Sequence, residues 1–79
     1  MSDKEQLQAY LGLVERHLAD LEERIQEIKK RIAVMKVQGF STQHQTELLA
    51  TMLEVQENTK IIRLETLERL SVEDKRSQG

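Results

Sequence analysis

From Leu7 onward the apolar residues recur at alternating steps of four and three: Leu7, Leu11, Val14, Leu18, Leu21, Ile25, Ile28, Ile32 and Met35. No step is missed, so all nine side chains fall on one stripe of an α-helix. Their 3.5-residue period favours left-handed supercoiling against a partner helix. The pattern predicts a first helix over about residues 4–38, roughly 50 Å long at ~1.5 Å per residue.

Gly39 follows the last apolar residues of this stripe, where a helix commonly ends on a residue in the left-handed region. Phe40 then takes the position whose side chain often folds back towards the last turn, here near Met35. Ser41 or Thr42 can cap the next helix through its hydroxyl, and Thr42-Gln43-His44-Gln45 matches a capping box. The turn is therefore placed at 39–41 and the second helix at about 42–71. The segment 73–79 has no periodicity and reads as a flexible tail.

A short connection makes the two helices antiparallel neighbours, so paired residues should be centred on the turn. On helix 2 the residues Leu48, Met52, Val55, Thr59, Ile62 and Thr66 step by four and three, as helix 1 does in reverse. Ile32 then faces Leu48, Ile28 faces Met52, Ile25 faces Val55, Leu21 faces Thr59, Leu18 faces Ile62 and Val14 faces Thr66. Each pair is centred on residue 40. Thr59 and Thr66 are either register-setting polar residues or residues that bond back to a carbonyl one turn earlier.

That seam leaves Leu49, Leu53, Ile61, Leu64 and Leu67 on a second stripe of helix 2, and Tyr10, Leu13, Val34 and Val37 off the stripe of helix 1. Two helices alone cannot cover them. The expected architecture is all-α, a single antiparallel hairpin domain over residues 1–72 that pairs with another copy into a four-helix bundle. Along helix 1, Glu15 and Glu22 are followed by Lys29 and Lys36, so an antiparallel copy would pair opposite charges. His17, Arg24 and Arg31 would bring like charges together across the same axis unless Glu47, Glu54 or Glu57 reaches them.

Composition agrees with long helices: 79 residues, no Pro, three Gly, one Tyr, one Phe and a third of the residues charged. The net charge of -2, from 12 basic and 14 acidic residues, favours neither a polyanion nor an anionic membrane. Without Cys there is no disulfide framework or thiolate site, and no apolar run approaches the ~20 residues of a membrane span. The chain reads as cytoplasmic.

Catalytic and metal chemistry find no footing. His17 and His44 lack a carboxylate three residues earlier, where Val14 and Ser41 stand, so the Glu-x-x-His arrangement of helical di-metal sites is missing. Glu22, Glu23, Glu65 and Glu68 fit solvated helix faces, with Arg69 one helical turn after Glu65. No phosphate loop or nucleophile elbow occurs, Gly12 and Gly39 being isolated. The expected function is a non-enzymatic structural or protein-interaction module, with no cofactor and no metal, whose partner is itself, most simply as a dimer, or another protein. The alternative is a small nucleic-acid-binding or regulatory protein using a basic patch built in the dimer from Arg24, Lys30 and Arg31. Within the run Lys29-Lys30-Arg31 consecutive side chains point about 100° apart, and stacking aromatics are scarce.

The string Glu15-Arg16-His17-Leu18-Ala19, followed by Glu22-x-Arg24-Ile25, a Gly39-x-Ser41-Thr42 turn and Glu47-Leu48-Leu49-x-x-Met52, resembles a group of short uncharacterised bacterial two-helix hairpin proteins. Those carry an ERHIAE-type first helix, a G-H-D-T turn and an E-x-L-L-x-x-M second helix. The likeness covers about residues 14–55. The chain departs from it at Phe40-Ser41, which stand in place of His-Asp, and lacks a later His-Arg pair in helix 2. The resemblance implies a bacterial helical hairpin and carries no activity.

Overall fold

Ser2 opens the first helix. Its Oγ accepts the Glu5 N–H at 3.2 Å, which satisfies one of the donors a helix start leaves open, and its carbonyl accepts the Gln6 N–H at 3.1 Å as the first bond of the helix. In the computed structural model, which describes residues 2–78, helix α1 spans Asp3–Val37 and helix α2 spans Gln43–Gln78. They form an antiparallel two-helix hairpin measuring 63 × 15 × 14 Å.

Gly39 ends α1 with a φ of 79°. Its N–H donates to the Lys36 carbonyl at 3.1 Å and the Phe40 N–H donates to the Met35 carbonyl at 2.9 Å, the paired bonds of a Schellman motif. The fold-back on Met35 is made by the Phe40 backbone, while its ring stays 62% exposed. Thr42 immediately precedes α2, and its carbonyl accepts the Thr46 N–H at 2.8 Å. The return bond of a capping box is not made, because Gln45 Oε1 is buried without a hydrogen-bond partner. Residues 38–42 thus separate the helices, a longer connection than the 39–41 turn expected from sequence.

The segment from 73 onward is helical as far as Gln78, and Gly79 lies outside the described residues. Nothing there breaks a helix: no Pro or Gly occurs before Gly79, and Lys75 and Arg76 suit the negative end of the helix dipole. Asp74 is also tied to the start of α1 by an ion pair with Lys4 at 2.7 Å.

All nine residues of the α1 stripe are buried or half-buried, with Val14, Leu21 and Ile25 the buried hydrophobic ones and Ile25 only 2% exposed. The corresponding face of α2 differs from the one read in the sequence. Gln45, Leu49, Met52, Gln56, Thr59, Thr66, Leu70 and Glu73 are its buried or half-buried positions after Thr42. Leu48, Val55 and Ile62 remain 37–39% exposed, and Gln56 at 9% takes the place beside α1 that Val55 was expected to hold. Leu49 correspondingly belongs to the seam and not to the outer stripe.

The cause is register. The cross-helix pairs Glu22–Gln56, Glu15–Arg63 and Lys4–Asp74 are all centred on residue 39, not on residue 40. In this register α2 is turned by roughly 50° about its own axis relative to the expected seam. Met52, Thr59 and Thr66 are common to both seams. The hydroxyls of Thr59 and Thr66 donate to the carbonyls of Val55 and Ile62, each at 2.7 Å, so neither enters the seam as an unpaired polar group.

Candidate self-association surface

Two long faces flank the seam, and they differ in character. On the first, which we term the tied face, charged side chains of the two helices bind each other. Gln56 Nε2 donates to Glu22 Oε2 at 2.9 Å, Gln26 Nε2 donates to Glu22 Oε1 at 3.2 Å, and Arg63 Nε meets Glu15 Oε1 at 3.3 Å. The amide donors of Gln26 and then Gln56 hold the Glu22 carboxyl below its ordinary value, with Lys29 and Lys60 adding to the effect. Leu53, Lys60, Leu67 and Asp74 stand seven residues apart, so they form one row on this side of α2. Leu64 and Ile61 lie further round, more than half exposed. Of the outer stripe expected from sequence, Leu53, Ile61, Leu64 and Leu67 therefore share one side of α2, and Leu49 does not.

The second face carries clefts between the helices. Arg24, Glu27, Ile28, Arg31, Leu48 and Met52 line one of about 180 Å³, and Asp3, Gln6, Leu7, Tyr10, Arg69 and Glu73 line another of about 380 Å³ at the open end of the hairpin. These lining residues identify three rows with a spacing of seven: Leu48, Val55, Ile62 and Arg69 on α2; Tyr10, His17, Arg24 and Arg31 on α1; and Leu13, Asp20, Glu27 and Val34 beside it. Tyr10, Leu13 and Val34 are each about half exposed, so here both helices bring apolar side chains to water. The sequence pattern assigns Leu48, Val55 and Ile62 to the hairpin seam, whereas the structure places them on this outer face. The signal that could have moved them was the equally regular row Gln45, Leu49, Met52, Gln56, Thr59, whose polar members argued against it.

The remaining sequence candidates are scattered. His17 and His44 are both exposed. Among the described residues no group of three His, Cys, Asp or Glu is placed to hold a metal ion, and no helix is long and apolar enough to cross a membrane. Lys29, Lys30 and Arg31 do not converge: Lys29 acts on Glu22 on the tied face and Arg31 lines a cleft on the other. Near the turn, Val34 and Val37 line a shallow apolar depression with Ala33 and Gln38, and Val37 is 90% exposed.

No protein-family model, curated protein or solved structure matches the chain.

Proposed function

We propose that this chain is a self-associating structural or interaction module without enzymatic activity, and that two hairpins pack into a four-helix bundle. The observation that carries this reading is an imbalance. Among the described residues three hydrophobic ones are buried, whereas thirteen large ones are more than a third exposed, eight of them on α2, four on α1 and Phe40 in the turn. A helical pair this thin buries too little apolar surface for comfortable independent stability, and rows of exposed aliphatics along an extended hairpin are what a second layer of helices covers.

Sedimentation equilibrium at about 10 μM tests it. The expected mass is twice that of the 9.2 kDa chain, with the helical circular dichroism signal unfolding cooperatively and at a temperature that rises with protein concentration. A well-folded species of monomer mass, with a concentration-independent melt, overturns the reading. Nucleic acid is the weaker partner, since Asp20 and Glu27 are interleaved with Arg24 and Arg31 along the one face where those arginines lie.

A further inference from the structure

We infer that the second copy docks on the cleft face, antiparallel, about a two-fold axis that passes at the level of Val55, so that each turn covers the open end of the other hairpin. This rests on the self-association proposed above and specifies its geometry. Three observations converge on the axis. The α2 row runs Ser41, Leu48, Val55, Ile62, Arg69, so its aliphatic part is symmetric about Val55. One α1 row runs Leu13, Asp20, Glu27, Val34, apolar at both ends and acidic within, and is symmetric about a point between Glu23 and Arg24. The cross-helix pairs centred on residue 39 place Val55 level with Glu23, so the two centres coincide along the hairpin to within one residue. A single axis perpendicular to the helices serves both, and an isologous interface requires that self-complementarity.

Charge constrains the arrangement. The basic row His17, Arg24, Arg31 alternates along α1 with the acidic pair Asp20 and Glu27. Reversing one copy about the axis brings Leu13 level with the partner's Val34 and Asp20 level with the partner's Glu27, and it sets Asp20 within a helical turn of the partner's Arg24 and His17 within a turn of the partner's Glu27. Each like-charge approach thus has an opposite charge one turn away. Size also fits: a face 63 Å long and 15 Å wide spans on the order of 900 Å², close to the ~800 Å² per partner of a standard interface. The same axis brings the partner's turn level with Leu7 on α1 and with residues 69–73 on α2. The exposed Phe40 therefore arrives at the 380 Å³ cleft lined by Leu7, Tyr10 and Arg69.

The absence of Cys makes single-cysteine variants of the full chain clean reporters. In Val55→Cys, the residue at the axis meets its own copy, and a short bis-maleimide should link most of the chain into dimers, with Leu64→Cys on the opposite side linking at least tenfold less. Spin labels on Ser41→Cys should lie roughly 42 Å apart, because the turns sit at opposite ends of the bundle. A sedimenting dimer in which Leu64→Cys links and Val55→Cys does not overturns the choice of face and leaves self-association standing. Turn labels within roughly 20 Å of each other overturn the antiparallel axis. A monomer in sedimentation overturns the underlying reading as well. Phe40→Ala should weaken the dimer about tenfold without loss of helicity, and an unchanged dissociation constant removes the turn from the interface.

Discussion

α1 and α2 are nearly equal in length, 35 and 36 residues, yet they deploy their aliphatic side chains in opposite ways. α1 turns an unbroken stripe of nine towards its neighbour. α2 answers with Gln45, Gln56, Thr59 and Thr66 among its seam residues, and leaves Leu48, Val55, Ile62, Leu53, Leu64 and Leu67 more than a third exposed. The polar groups of Gln56, Thr59 and Thr66 are kept by local bonds and by Glu22, and so do not destabilise the pair as the unpartnered Oε1 of Gln45 does. The difference teaches that α1 commits most of its aliphatic side chains to its neighbour in the hairpin, whereas α2 spreads them beyond it. Its aliphatics are distributed over three sides, which suits a helix surrounded by neighbours better than one in a lone hairpin.

The largest effect should follow from attacking the one-sided helix at its centre. Ile25→Asp places a carboxylate at the most buried position among the described residues, where its charge loses its water. A loss of about 4 kcal/mol is expected, enough to abolish the cooperative thermal transition and most of the 222 nm ellipticity. Retention of the melt would mean that α1 does not organise the fold. Val55→Glu, in contrast, should leave helicity at high protein concentration and raise the dimer dissociation constant by about 100-fold, as measured by sedimentation. If Ile25→Asp and Val55→Glu gave the same loss of helicity at every concentration, the division between a seam side and an outer side of α2 would collapse.

These two residues also show how much was legible in the sequence. Ile25 was identifiable because α1 offers one stripe and no competitor. The antiparallel hairpin and the helix end at Gly39 followed from that stripe and from capping chemistry. Val55 was misplaced because α2 carries two interleaved heptad rows, one aliphatic at Leu48, Val55 and Ile62 and one mixed at Leu49, Gln56 and Leu70, which share Met52, Thr59 and Thr66. Choosing the greasier row is sound only when a helix has a single neighbour. The connections 39–41 and 38–42 are both centred on residue 40, whereas the cross-helix pairs are centred on residue 39, and with that small shift of register the other row faces α1. The polar composition of the residues beyond Val72 reads as a tail, although the Lys4–Asp74 pair that tethers them involves a residue 70 positions away. For the outer surface, the exposed side chains could be listed from the sequence but not assigned to sides until the seam was known.

A middle-sized change should come from making α2 resemble α1. Gln56→Leu replaces a polar seam residue with an aliphatic one, while Glu22 retains Gln26 as a hydrogen-bond donor. Burying the added apolar surface should outweigh the lost cross-helix bond by about 1 kcal/mol, raising the melting temperature by several degrees. A drop in melting temperature would show that the Glu22–Gln56 bond contributes more than its surroundings suggest, and that α2's polar seam is a source of stability in its own right.

The smallest effect concerns the same bond and acid. Because Gln26 and then Gln56 donate to the Glu22 carboxylate, its folded value lies below the ordinary 4.5, so folding favours the ionised form. The stabilisation is complete above that ordinary value and is lost as pH falls through the lower, folded value. Glu22 sits on a solvated face, and water and salt screen the contribution, so only a shallow decline in melting temperature below pH 4.5 should be assignable to it. Glu22→Gln should flatten that part of the acid limb, and the Gln56→Leu chain should show a weaker decline than the parent, since one of the two donors is gone. An acid limb of identical slope in the parent and in Glu22→Gln would mean that the tie between α1 and the polar row of α2 has no part in holding the helices in register.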